Sequence, residues 1–390
     1  MQQTPQSSSL KNACAFVATS FGFGPVSKAV SIAVEMKAQA PHLETHYFGA
    51  GISYDYAQKS EAFHSLTSVD VERRESLVAL LPQLASYGAV FSVLNLEILH
   101  LWSRDLPPLY FVDSLAWMWR SLPAGIENVA AYFVQDYLLS PERIEAWAAA
   151  CPLMLVAPIE SVTNTRLEAP PEKRNRLLVN FSGCSNPFAP PEFYERYALV
   201  LASFILDEAG QRFDEITFCC NENLAAYLRK NLDSAPSLQV EHYAHEEFLR
   251  LLVSSEKVLS SPGITFTLEA LALKVPVGFL LPQNDSQALM SERYRLLLGE
   301  ESCMAFSRFG SEFCFPQFLP EQESVALVLT LLQKILTTRQ REIRSMIRGL
   351  IDLPPSYSIA NLRSNIRNRW SCSGQQIIVS HFLSQAGRTL

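Results

Sequence analysis

Short unbroken apolar runs alternate along the chain with longer segments whose apolar residues recur three and four positions apart. The first run, Ala13–Thr19 (ACAFVAT), has strand length. A loop with Gly22 and Gly24 follows, and Pro25 opens a helical pattern with Val26, Val30, Ala33 and Val34 on one face. Leu43–Phe48 reads as the next strand, so strand, helix and strand form a βαβ unit and imply a parallel sheet. A helix over Leu77–Ala85 and strands over Ala89–Leu94, Leu109–Val112 and Leu153–Val156 continue the series. Its strand ends fall near Gly22, Gly49, Asn95 and Asp113.

Between Pro158 and Arg176 the chain turns polar and contains Pro170-Pro171, a linker signature. A second series then predicts strands over Leu177–Phe181, Glu215–Cys219, Leu238–Glu241, Lys257–Leu259 and Val277–Leu281. The intervening helices are Pro191–Gly210, Asn223–Asn231, Glu246–Ser254 and Thr265–Leu273. Sustained helical patterns cover Glu321–Leu350, Ile359–Trp370 and Gln375–Ala386. The expected fold is α/β: two doubly wound, Rossmann-like parallel-sheet domains facing a cleft. The N-terminal domain spans 1–160, the C-terminal domain 176–350, and a helical tail over 351–390 packs back on the first.

Composition narrows the classes. With 390 residues, 48% hydrophobic and 18% charged, the chain has ample material for two cores. A net charge of −7 argues against nucleic acid as a partner. No apolar run is long enough to span a membrane, and Met1–Asn12 lacks signal-peptide order, so a cytoplasmic protein is expected. Eight scattered cysteines without a CxxC pair read as buried, reduced thiols rather than a disulfide or zinc framework. The tail cluster Arg339, Arg341, Arg344 and Arg348 offers either a phosphate-binding face or solvated cations near a helix end.

The stretch from Lys257 to Tyr294 carries the chemistry. A strand ends in Ser260-Ser261-Pro262-Gly263 and a helix starts near Thr265. Amides at a helix N-terminus, with the Ser261 and Thr265 hydroxyls, make an anion site suited to a diphosphate, and Gly263 keeps a side chain out of its path. Glu269, about one turn into the helix, can accept both hydroxyls of a ribose. One strand later, Asn284, Asp285, Ser286 and Gln287 offer amides and a carboxylate to sugar hydroxyls. All of these lie at C-terminal strand ends, where open α/β sheets bind ligands.

In this order of residues the sequence resembles the GT-B glycosyltransferases. Ser261-Pro262-Gly263, Thr265, Glu269-Ala270, Pro276, Pro282 and Gln287 match the motif of their donor-binding half. The resemblance spans nearly the whole chain. It implies a nucleotide-sugar site in the second domain, with Ser261, Gly263, Ile264 and Thr265 at the diphosphate and Glu269 at the ribose. Ser182 and Gly183, in the loop after the first strand of that domain, would assist the phosphates. Tyr243, Ala244 and His245 would meet the base. The first domain would hold the acceptor. Phe21–Val26 and Val112–Trp119 are closest to cytosylglucuronate synthase-like enzymes of nucleoside-antibiotic pathways. That likeness implies a UDP-sugar, UDP-glucuronate among them, and a pyrimidine base or nucleoside-like acceptor. No cofactor is implied besides the nucleotide-sugar co-substrate, no metal is obligatory, and a homodimer stays open.

For the acceptor, Gly22, Phe23, Gly24, Asn95 and Trp117 are candidate contacts, and Asp113, at a strand end, is the leading catalytic base. Asn95, Glu97 and Tyr54-Asp55 are alternatives to it. Asp113 is equally an N-cap for Ser114–Trp119, and Trp117, Met118 and Trp119 could stack on a planar base, though core packing is the commoner role of such residues. Other classes fit less well. Gly22-Phe23-Gly24-Pro25-Val26-Ser27 lacks the third glycine of a dinucleotide fingerprint, and no acidic residue ends the next strand. His242 and His245 lack a third metal ligand in sequence, and no GxSxG elbow occurs. A nucleotide-sugar epimerase or a non-catalytic nucleotide-sugar-binding protein of the same fold remains the alternative.

Overall fold

The computed structural model describes residues 10–159, 172–185, 189–354 and 370–386. Most of the expected linker, Asn186 of the loop after Phe181 and the helix expected over Ile359–Trp370 up to residue 369 lie outside the described residues. The chain divides into two compact units, Met1–Thr163 with Arg369–Leu390, and Asn164–Asn368.

In the first unit the strands are β1 (Ala13–Ala18), β2 (Glu44–Gly49), β3 (Ser65–Ser68), β4 (Ala89–Val93), β5 (Leu109–Asp113), β6 (Ala131–Gln135) and β7 (Leu153–Val156). They form one parallel sheet in the order β3-β2-β1-β4-β5-β6-β7. Helices α1 (Gly24–Gln39), α2 (Gly51–Ser60), α3 (Arg74–Leu84), α4 (Leu96–Leu101) and α5 (Pro141–Ala148) connect them. The apolar run of β1 is explained by burial on both faces. Cys14, Phe16 and Ala18 pack with Val26, Ile32 and Met36 of α1. Ala13, Ala15 and Val17 join Leu77, Leu80 and Leu84 of α3 on the other side.

The second unit has β8 (Arg174–Asn180), β9 (Glu215–Cys219), β10 (Leu238–Glu241), β11 (Ser255–Ser260) and β12 (Gly278–Phe279). All are parallel, in the order β10-β9-β8-β11-β12. Its helices are α6 (Pro191–Ala209), α7 (Glu222–Asn231), α8 (His245–Ser254), α9 (Ile264–Leu273), α10 (Asp285–Leu298), α11 (Glu321–Thr338) and α12 (Gln340–Asp352). Chain order reverses between β1 and β4 in the first sheet and between β8 and β11 in the second. A last helix, α13 (Gly374–Ala386), belongs to the first unit, where Ile378, Val379 and Phe382 enter the core beside α1.

Several elements differ from the sequence reading. The strand expected over Val277–Leu281 is ladder-paired only at Gly278 and Phe279, beside β11, and Phe279 forms a single further bridge to Cys303. The helix expected over Glu321–Leu350 is two helices, parted at Arg339 with φ −120° and ψ 32°. In the basic cluster, Arg341 is exposed and the other three form solvent-accessible ion pairs: Arg339 with Glu312 at 2.9 Å, and, tying α12 to α6, Arg344 with Asp207 at 2.7 Å and Arg348 with Glu208 at 2.8 Å. Five of the cysteines are buried, but Cys151 is half-buried and Cys314 and Cys372 are exposed.

Candidate functional site

The reversal between β8 and β11 gathers several of the residues expected to meet a nucleotide-sugar. Beyond β11, Gly263 is the N-cap of α9 in extended conformation (φ −145°), and no side chain caps this end. A Cβ added to Gly263 would meet nothing within 4 Å, so packing does not require glycine there. Gly263 and Thr265 are half-buried, while Ile264 and Phe266 to Leu271 are buried. Backbone amides of an open first turn carry partial positive charge, which suits an anion.

Across the reversal, Asn180 at the end of β8 organises the facing loop. Its amide donates to Ser260 Oγ at 3.1 Å, and its oxygen accepts from the Ser182 amide at 2.9 Å. Ser182 has φ 58° and is half-buried, and Gly183 O accepts from Asn221 Nδ2 at 2.7 Å. Ser261 departs from its expected role. It is fully buried, and its hydroxyl accepts from Gln283 Nε2 and lies 3.4 Å from Tyr197 Oη. It fastens loops together rather than facing a ligand, because the end of β11 is enclosed.

Gln283 and Tyr197 do this fastening; the sequence offered Gln283 only as part of a loop whose amides meet sugar hydroxyls, and Tyr197 not at all. Gln283 Nε2 also donates to Phe181 O at 2.7 Å, and its backbone amide donates to Gln287 Oε1 at 2.9 Å. Tyr197 donates to Leu281 O at 2.6 Å. The signal for Gln283 was its place in the Pro282–Gln287 loop; Tyr197 reads as one more apolar position of α6. Asn284 caps α10, accepting from the Gln287 amide at 3.0 Å and from Ser286 Oγ at 2.9 Å. Gln287 is buried with its oxygen engaged, so it holds the turn. Burial raises the Asp285 carboxyl above its ordinary range, against hydrogen bonds from the Ser286 amide and Ser324.

The structure joins two residues expected to act separately. His245 Nε2 donates to Glu269 Oε1 at 2.7 Å. Glu269 is 4% exposed, and His245 starts α8. Burial lowers the imidazole pKa, but the hydrogen bond and charge of Glu269 outweigh it and the net shift is upward. Tyr243 is half-buried, and burial raises its phenol to about 12. His242 donates from Nδ1 to Cys220 O at 3.2 Å. Among the described residues, no three His, Cys, Asp or Glu side chains are placed to hold a metal ion.

In the first unit the expected base is enclosed. Asp113 has no solvent exposure; Oδ1 accepts from the Leu115 amide at 2.6 Å, and Oδ2 from Trp119 Nε1 at 2.8 Å and Tyr132 Oη at 2.7 Å. Burial raises its pKa and these bonds oppose the rise. It caps the turn after β5, which leaves no oxygen for an acceptor. Asn95 is also buried: it caps α4 through the Ile98 amide and donates to Val71 O at 2.9 Å. Trp117 is 2% exposed and has no open face for stacking. Gly22 (φ +64°) and Phe23 lead into α1, where Gly24 O accepts from Ser27 Oγ at 2.9 Å and Lys28 Nζ at 3.2 Å.

The residue that the sequence reading passed over is Glu72, beyond β3. Its Oε1 accepts from Thr19 Oγ1 at 2.6 Å and from the Ser20 amide at 2.7 Å. Thr19 in turn donates its amide to Val93 O at 3.2 Å, across the β1–β4 reversal. Burial raises the Glu72 carboxyl, those two bonds lower it, and the charge of Asp70 raises it further. The only hint in sequence was an acidic residue in the Asp70-Val71-Glu72-Arg73 run, which reads as an exposed turn.

No family model matches the chain and no curated protein is similar to it in sequence. Solved structures share the fold. UDP-glucose: anthocyanidin 3-O-glucosyltransferase in complex with UDP superposes with TM-score 0.55 at 12% identity, over 97% of this chain and 99% of the other. Medicago truncatula UGT71G1 complexed with UDP-glucose gives 0.51 at 12%, with the same coverage. Os79 from O. sativa in complex with UDP gives 0.52 at 10%, over 96% and 99%. The architecture is that of the GT-B glycosyltransferases: two parallel-sheet α/β domains with a helical C-terminal region. Among the described residues no helix is long and apolar enough to cross a membrane.

Proposed function

We propose that this chain transfers a sugar from a UDP-sugar, UDP-glucuronate within its range, to a small acceptor such as a pyrimidine base or nucleoside-like metabolite. The observation that carries the reading is the open N-terminus of α9 beside Gly263, with the buried carboxylate of Glu269 on the same helix. Support comes also from the fold shared with proteins solved with UDP or UDP-glucose. The first-turn amides, the Thr265 hydroxyl and Ser182 receive the diphosphate. They stabilise the charge that grows on it as the sugar–oxygen bond breaks. Glu269, oriented by His245, accepts the ribose hydroxyls, a carboxylate having about four acceptor sites. Tyr243 and Ala244 flank the base. Asp285 and Ser286, held by Asn284 and Gln287, face the sugar.

Titration calorimetry with UDP and UDP-glucose tests the donor site. Wild-type chain binds both, and Glu269→Ala weakens binding by about 1.5–3 kcal/mol, the worth of a hydrogen bond to a charged group. Equal affinity for wild type and variant would remove the ribose assignment. UDP release that needs an acceptor supports transfer, whereas release without one, with an epimerised sugar, supports an epimerase. The charge on the leaving group is met by backbone amides, so turnover should survive EDTA; complete loss would refute metal independence.

A further inference from the structure

We infer that Glu72 is the general base of the transfer: its Oε2 removes the proton from the acceptor's N–H or O–H. This rests on the sugar-transfer reading above and adds the group that activates the acceptor. Three facts carry it. Thr19 and Ser20 hold Oε1, while Oε2 accepts no hydrogen bond from the described residues, so one oxygen is aimed and the other is left for substrate. The carboxylate stands over the β1–β4 reversal, the place where an open parallel sheet takes a ligand. Around it the loop ends of β1 and β2 are polar and joined: Ser20 Oγ donates to Ala50 O at 3.2 Å and lies 3.3 Å from Ser53 Oγ, and a Cβ built on Gly51, next to Ala50, would meet nothing within 4 Å.

The rival carboxylates are spent or turned away. Asp113 is enclosed by three donors. Glu97 is paired with Arg74 and with His100 at 3.5 Å, and Asp55 lies exposed on α2. In the step itself, the acceptor's N–H or O–H bond breaks and its proton passes to Oε2. The freed electron pair forms the bond to the anomeric carbon. The bond from that carbon to the diphosphate oxygen breaks, and UDP leaves with its electron pair. The sum is acceptor plus UDP-sugar giving glycosylated acceptor, UDP and one proton, with no oxidant or metal required. The acceptor class is therefore a small molecule whose reacting N–H or O–H needs deprotonation.

The test uses the full chain with UDP-glucose and UDP-glucuronate as donors and a panel of pyrimidine bases and phenols as acceptors. Glu72→Gln keeps an oxygen for Thr19 and Ser20 but removes the base, so kcat should fall by roughly 100-fold or more while calorimetric UDP binding stays unchanged. Glu72→Ala should be similarly slow and should regain rate with added formate, which a merely structural role would not produce. Near-wild-type turnover by Glu72→Gln, or no formate rescue of a folded Glu72→Ala, overturns the assignment. Wild-type chain that binds UDP but turns over no member of the panel overturns it too, together with sugar transfer; failure to bind UDP overturns the donor site instead.

Discussion

His245 and Glu269, on the first turn of α8 and in the middle of α9, share a hydrogen bond of 2.7 Å in which a nearly buried carboxylate meets a half-buried imidazole. The pair has a direct consequence for pH. The folded-state pKa of His245 is raised by its partner, so the charged form stabilises the fold. That contribution is complete below the ordinary imidazole value and disappears as pH rises through the raised one. Melting temperatures of wild type and His245→Gln, measured from about pH 6 to about pH 9, should converge at the alkaline end. A constant difference across the range would mean that the imidazole charge contributes nothing.

Gly263→Ala separates folding from binding. The backbone there is extended, and the added methyl meets open space, so stability should change by no more than about 0.5 kcal/mol. The methyl would stand where a diphosphate approaches the amides of α9. UDP affinity should therefore drop roughly tenfold while the melting temperature holds. Unaltered UDP affinity would move the diphosphate elsewhere.

Gln283→Ala should act in the opposite way. Gln283 Nε2 donates to Phe181 O and Ser261 Oγ at the centre of the second unit, and the truncation leaves a buried carbonyl unpaired. A loss of about 1–3 kcal/mol in chemical denaturation is expected. A fully stable variant would show that these loops are fastened by other means.

Asp113→Asn is expected to weaken the fold more than the chemistry. The carboxylate accepts three hydrogen bonds in a fully buried place, and an asparagine puts an NH2 group where an acceptor is needed. Unfolding should shift by about 1–3 kcal/mol, with turnover of the remaining folded protein retained. A stable but inactive variant would restore Asp113 as the base.

Some of the site was legible because it is local. The Pro262-Gly263 turn, Thr265 and Glu269 lie within eight residues, and a strand end followed by a helix start sets their relative positions. Pairings across elements were not legible. His245 lies 24 positions before Glu269, and Thr19 lies 53 before Glu72. Asp113 misled for a related reason. Its place at a strand end was readable, but its donor Tyr132 reaches it only when β5 and β6 pair side by side.

By itself the sequence determined the alternation of strands and helices, the two-part α/β order and the loop beside Gly263. Those follow from the spacing of apolar residues and from backbone preferences that act over a few positions. Tertiary structure decided which polar groups face outward. It buried Ser261, Asn95 and Trp117, joined His245 to Glu269, and left Glu72 with one carboxylate oxygen unclaimed. Burial and hydrogen-bond partnership depend on neighbours distant in the chain, and a one-dimensional pattern does not hold that information.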